Sequence, residues 1–158
     1  MSRPEAVFQR PDQAHARHAA AGADYGAQAR ERGRRYLEAV DRILPGIAAR
    51  RGETEAANRM LDATISDLTK AGVFRAVTPL QWGGLEVDPV SFYEAVIRLA
   101  SACPSTGWVG GILNVHSWQI ALMDERMQAE FFKDSPDARA SSAYAPTGSV
   151  ARTDGGFH

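Results

Sequence analysis

His116 is the residue whose type and surroundings first suggest chemistry. It lies in Ala102-Cys103-Pro104-Ser105-Thr106-Gly107-Trp108-Val109-Gly110-Gly111-Ile112-Leu113-Asn114-Val115-His116-Ser117-Trp118, a stretch that reads as a helix apolar on nearly every side. A helix of that kind is normally buried. An imidazole inside it either finds a hydrogen-bond partner, as an ordinary core histidine does, or faces a cavity where it can exchange a proton. Ser141 and Ser142 follow on a small polar segment and are either strand and turn residues or the lining of a site. Cys103, the single cysteine, reads as a buried small hydrophobe rather than a nucleophile.

Several chemistries find no support. There is no G-x-S-x-G elbow and no acidic residue recognisably placed to orient His116, which argues against a nucleophilic hydrolase. Neither a phosphate-binding P-loop nor a G-x-G-x-x-G after a strand occurs. His15 and His18 are three residues apart but lack a third ligand, so no metal site is expected. A formal charge of −1 gives no reason to expect nucleic acid as a partner. No run approaches the roughly 18 apolar residues of a membrane span. One cysteine excludes an internal disulfide, and with no secretory signal in view a cytoplasmic location is expected.

The elements that must position these residues can be read from periodicity and caps. Residues 1–33 are rich in Ala, Arg, Gln and Gly and read as a mobile tail or weak helix. From Arg34, the residues Leu37, Val40, Ile43, Leu44 and Ile47 form one helical stripe, with a kink or restart expected at Pro45. A shorter helix follows with Asp62 as its expected N-cap and Ile65 and Leu68 facing inward, and it stops at Ala71-Gly72. Gln81-Trp82-Gly83-Gly84 reads as a tight turn with an anchoring Trp. Asp88-Pro89 opens the next helix as N-cap and first residue. Its two lines, Phe92, Val96, Leu99 and Tyr93, Ile97, Ala100, predict a wide buried face.

Pro104 starts the His116 helix, which is expected to run to about Leu122. Gly107, Gly110 and Gly111 on its first turns admit the close approach of another backbone or of a flat ligand. Asp124 caps a last helix through Phe131 and Phe132. After Pro136 the composition changes, and Asp154-Gly155 is a hairpin signal with little chain after it. Helices followed by strands give an α+β class: a tail over 1–33, a helical domain over 34–137, and the incomplete beginning of a β domain over 138–158. An N-terminal fragment of a longer protein is the expectation.

Four segments together carry a family resemblance: Leu80-Gln81-Trp82-Gly83-Gly84-Leu85, Ser105-Thr106-Gly107-Trp108, Val115-His116-Ser117-Trp118 and Ser141-Ser142-Ala143-Tyr144-Ala145-Pro146-Thr147-Gly148. In this order and spacing, from about Tyr36 to Phe157, the chain resembles two-component (group D) flavin-dependent monooxygenases built on the acyl-CoA dehydrogenase fold. It is most like the branch that hydroxylates a phenolic secosteroid in steroid catabolism. The resemblance implies a helical N-terminal domain, a central β-barrel and a C-terminal bundle that builds a homotetramer, of which this chain holds the first part and the opening of the second. It implies reduced flavin (FMN or FAD) and O2 as cofactors, a separate flavin reductase as partner, and a small aromatic substrate. It also implies that His116 and Ser142 reach the phenol oxygen and that Tyr144, Ala145, Pro146 and Thr147 pass along the flavin ring. Two other readings stand beside it. Acyl-CoA dehydrogenases typically carry Thr-Glu-Pro where this chain has Tyr144-Ala145-Pro146, and a non-catalytic truncated product is the third reading.

Overall fold

The structure is a computed structural model that describes the backbone of residues 11–142, 145 and 147–158, with side chains from Asp24 onward. Its elements are α1 (Pro11–Ala49), α2 (Arg51–Ala57), α3 (Asp62–Lys70), α4 (Pro89–Ala102), α5 (Pro104–Ile120), α6 (Glu125–Phe132) and the two-stranded β1 (Arg152–Thr153) and β2 (Gly156–Phe157). Short 3-10 turns at Val73–Arg75 and Leu80–Trp82 join α3 to α4. Helices and strands are segregated along the chain, as the α+β class requires.

Local signals act where the sequence placed them. Asp88 caps α4, its carboxylate accepting the Ser91 backbone N–H at 3.0 Å, with Pro89 in the first turn. Asp124 caps α6 by accepting from Arg126 N at 3.0 Å. Gly72 ends α3 with φ +78°, and Gly155 turns the hairpin with φ +89°, pairing Arg152 with Phe157 and Thr153 with Gly156. Asp62 is the first residue of α3 rather than its cap; Leu61 occupies the cap position.

The core lies where α4 is held between α1 and α5. Tyr36, Val40 and Ile47 of α1, Leu68 of α3, Phe74 of the first 3-10 turn and Leu99 of α4 meet there, all buried. Cys103 is buried at the α4–α5 junction, as expected for a small hydrophobe. The phenolic Tyr36 is raised well above its ordinary pKa by burial and stays neutral.

Three expectations are corrected. Helix α1 does not begin near Arg34; it is already helical at Pro11 and runs through Gly33. Alanine-rich sequence has high helix propensity, and tertiary contacts add to it. Ala29 is buried, Arg32 donates to the carbonyls of Leu85 and Glu86, both at 2.9 Å, and Tyr25 is hydrogen-bonded to Glu86. The helix also continues through Pro45 to Ala49. The third correction concerns α4. Phe92 and Leu99 are buried, but Tyr93 and Ile97 are 61% and 65% exposed, because α1 and α5 cover only two sides of the helix.

Candidate active site

Helix α5 is the element that holds His116. Its early glycines face α4: a Cβ on Gly107 would stand 2.5 Å from Ala100 Cβ, and one on Gly110 would touch Leu99 and Val73. At Gly107 the close approach is made by the α4 backbone at Ala100, so helix packing accounts for that glycine, while Gly110 and Gly111 lie against the side chains of Leu99, Val73 and Val96. Asn114, fully buried, donates through Nδ2 to Gly110 O at 2.8 Å and to the Val73 carbonyl, tying α5 to the 3-10 turn behind it.

His116 is only 5% exposed and both ring nitrogens are engaged. Nδ1 lies 2.8 Å from the Ile112 carbonyl oxygen, and Nε2 lies 2.7 Å from Ser142 Oγ. A carbonyl oxygen only accepts, so the hydrogen-bond network assigns the proton of the neutral ring to Nδ1. Nε2 then presents a lone pair, and the Ser142 hydroxyl donates to it. Two residues 26 positions apart, one on a helix and one on the segment leading to the β hairpin, are thereby brought into a single pair. Ser142 itself is exposed, in contrast to the buried imidazole. Trp108 and Ile112 stand at spacings of four before His116 on α5 and continue its face, with Trp108 71% exposed.

Of the residues proposed to line a flavin, Ala145 and Thr147 are exposed, and the Thr147 N–H donates to Ala145 O at 2.8 Å. Tyr144 and Pro146 lie outside the described residues. Residues 147–150 belong to no strand and are exposed along their length. An apolar hollow of about 380 Å³ lies elsewhere, between the start of α4 and the end of α5. It is lined by Phe92, Tyr93, Val115 and Trp118 among others and includes neither His116 nor Ser142. Among the described residues no group of three His, Cys, Asp or Glu side chains could hold a metal ion. No helix among them is long and apolar enough to cross a membrane.

The corner that supports this region was read from sequence only as a turn. Gly83 has φ +78°, and a Cβ on Gly84 would overlap the Thr78 carbonyl, so both glycines are required. Trp82 stacks on Phe132 with ring centroids 6.2 Å apart and donates through Nε1 to Gln128 Oε1 at 2.9 Å. Gln128 is a residue that sequence reasoning missed; a polar residue near the middle of an amphipathic helix carries no signal of burial.

Comparison with known proteins gives these residues a setting. No family model matches the chain. The oxygenase subunit HsaA of a flavin-dependent monooxygenase from Mycobacterium tuberculosis is 47% identical over 121 residues, 77% of this chain and 31% of that protein. The HsaA of Rhodococcus jostii is 43% identical over 77% of this chain and 32% of its own length. The oxygenase component of p-hydroxyphenylacetate 3-hydroxylase from Acinetobacter baumannii is 39% identical over 77% of this chain and 29% of its own. The chain thus spans about a third of the length of the curated relatives it matches. Among solved structures, HsaA from M. tuberculosis superposes with a TM-score of 0.76 at 46% identity, over 79% of this chain and 33% of that one. XiaF from a Streptomyces species, in complex with FADH2 and glycerol, superposes with a TM-score of 0.78 at 29% identity, over 85% of this chain and 34% of that one. Over the matched residues, the chain is similar in sequence and in fold to about a third of the oxygenase components of flavin-dependent monooxygenases, and its helices are those of the helical domain of the acyl-CoA dehydrogenase-like fold.

Proposed function

We propose that the intact protein is the oxygenase component of a two-component flavin-dependent monooxygenase that hydroxylates a phenolic aromatic, steroid-derived or similar, with His116 and Ser142 holding the phenol oxygen. The observation that carries this reading is the 2.7 Å contact between His116 Nε2 and Ser142 Oγ, made by two segments remote in sequence. The relative named as a hydroxylase of p-hydroxyphenylacetate supports a phenol as the substrate class.

The residues perform a proton transfer that suits such a substrate. Ser142 donates to Nε2 and is free to accept from a phenol O–H. As the phenol proton passes to Ser142 Oγ, the serine proton passes to Nε2, and the imidazolium keeps its Nδ1–H on Ile112 O. The phenol oxygen gains anionic character, which raises electron density at the ortho ring carbon. Trp108 and Ile112 offer an apolar wall for a flat ring beside the pair. Tyr144, Ala145, Pro146 and Thr147 are the proposed flavin-facing segment, and Ala145 and Thr147 are exposed. Reduced flavin, when bound, supplies the activation of O2 and the oxygen atom that is transferred.

In this reading the helical domain extends over residues 34–137 together with the N-terminal part of α1, and 138–158 opens a β domain. A separate reductase supplies the flavin, the working location is the cytoplasm, and the intact protein is a homotetramer. The exposed Tyr93, Ile97, Trp118 and Leu122 are consistent with surfaces that the rest of the protein covers. The test is turnover by the intact protein given reduced flavin, O2 and a panel of phenols. The expected product is a ring-hydroxylated phenol; oxidation of an acyl thioester without any hydroxylation overturns the proposal in favour of an acyl-CoA dehydrogenase.

A further inference from the structure

We infer that Gln128 is a positioning residue for the His116–Ser142 pair, acting through the Trp82 corner; the inference rests on the functional reading just given. Residues 116 and 142 are joined by a chain that leaves α5, turns into α6 and turns again before Ser142. Their 2.7 Å separation therefore depends on how α6 is docked against the end of α5. Gln128 sits on α6, 8% exposed, and its amide uses both donors and its acceptor. Nε2 donates to Ala121 O at 3.1 Å and to Met123 O at 2.8 Å, while Oε1 accepts from Trp82 Nε1 at 2.9 Å.

Ala121 and Met123 form the exit of α5, where helix carbonyls lack intrahelical partners. One side chain thus satisfies the end of the His116 helix and fastens it to the Trp82 corner. The same corner governs the approach to Ser142. Trp82 stacks on Phe132, the last residue of α6, and Gly83 lies against Pro136 just beyond it. Arg75, before the corner, lies 3.7 Å from Asp137. Both members of the pair are therefore mounted on one support, and Gln128 hydrogen-bonds to both the Trp82 corner and the end of α5.

The test uses Gln128→Met, which keeps the length of the side chain and removes all three hydrogen bonds, and Trp82→Phe, which keeps a ring against Phe132 and removes only the N–H. Both are made in the intact protein and read by ¹⁵N-histidine NMR, with Ser142→Ala supplying the reference signal for a His116 that has lost its serine. In Gln128→Met the His116 Nε2 signal moves toward that reference, and in Trp82→Phe it moves in the same direction by less. Turnover falls about 10- to 100-fold with KM for the phenol and flavin affinity retained, the scale of loss produced by misplacement of about 1 Å. An unchanged His116 signal in folded Gln128→Met, with only a lower melting temperature, overturns the inference. If that variant fails to fold, an unchanged signal in Trp82→Phe does so. The spectra need no substrate, so a parent protein that hydroxylates no phenol refutes the functional reading while the NMR result still decides the role of Gln128.

Discussion

The pairing of His116 with Ser142 makes a prediction that can be worked through with a double-mutant cycle. The perturbations are His116→Ala, Ser142→Ala and the two combined, in the intact protein. Proton transfer by a positioned side chain contributes about 10²- to 10⁴-fold, or roughly 3–5 kcal/mol of barrier. His116→Ala should therefore lower hydroxylation by that factor. Ser142→Ala removes one neutral hydrogen bond at an exposed hydroxyl, which water replaces, so its effect on stability should stay below about 1 kcal/mol. Its effect on turnover should nonetheless approach that of His116→Ala, because the proton passes through Oγ to reach Nε2. Residues that act as a unit are strongly non-additive, so the double variant should be no slower than His116→Ala alone. The assay is initial-rate hydroxylation with externally reduced flavin, alongside flavin affinity and a thermal melt for each variant. Multiplicative losses in the double variant refute the pair as a unit. Equal loss of flavin binding and turnover, or loss of folding, in His116→Ala returns the histidine to a purely structural role.

Two further predictions concern the scaffold. Gly107→Ala should destabilise by about 1–3 kcal/mol, because the new methyl stands 2.5 Å from Ala100 Cβ and α4 and α5 must separate; chemical denaturation would measure it. Around Asp88, burial opposes ionisation, but hydrogen bonds from the Ser91 side chain and from backbone N–H groups outweigh it and hold the carboxyl below its ordinary value. A depressed folded-state pKa contributes stability that is present above the unfolded value of about 3.9 and is lost as pH falls through the folded one. Asn is a comparable cap, so the advantage of the parent over Asp88→Asn should be full at pH 6 and shrink below about pH 4, as followed by denaturant melts.

Much of the local architecture follows from short-range chemistry. Asp88-Pro89 and Asp124 cap helices because a carboxylate one residue ahead of a helix reaches its free N–H groups wherever that helix is later packed. Gly72 and Asp154-Gly155 act the same way, since positive φ is a property of the residue itself. The helical class of the first part and the peculiarity of His116 were legible for this reason. The family resemblance added an order of four motifs that no single motif carried.

Other features depended on contacts that composition does not encode. Residues 24–33 look too polar to order themselves, yet Arg32 finds partners in the Leu85–Glu86 loop and Ala29 is buried. Tyr93 and Ile97 share a helix with Phe92 and Leu99, but only the neighbours of α4 decide which line is covered. The sequence alone determined the caps of α4 and α6 and the turns at Gly72 and Gly155, that an imidazole stands in an apolar helix, and that small polar residues follow it. Only the tertiary structure decided that the glycines of α5 receive α4, that Nδ1 carries the His116 proton, and that Nε2 meets Ser142 across 26 residues. Caps and turns are written in neighbouring residues, whereas a pair on two elements exists only when the packing between those elements fixes the distance.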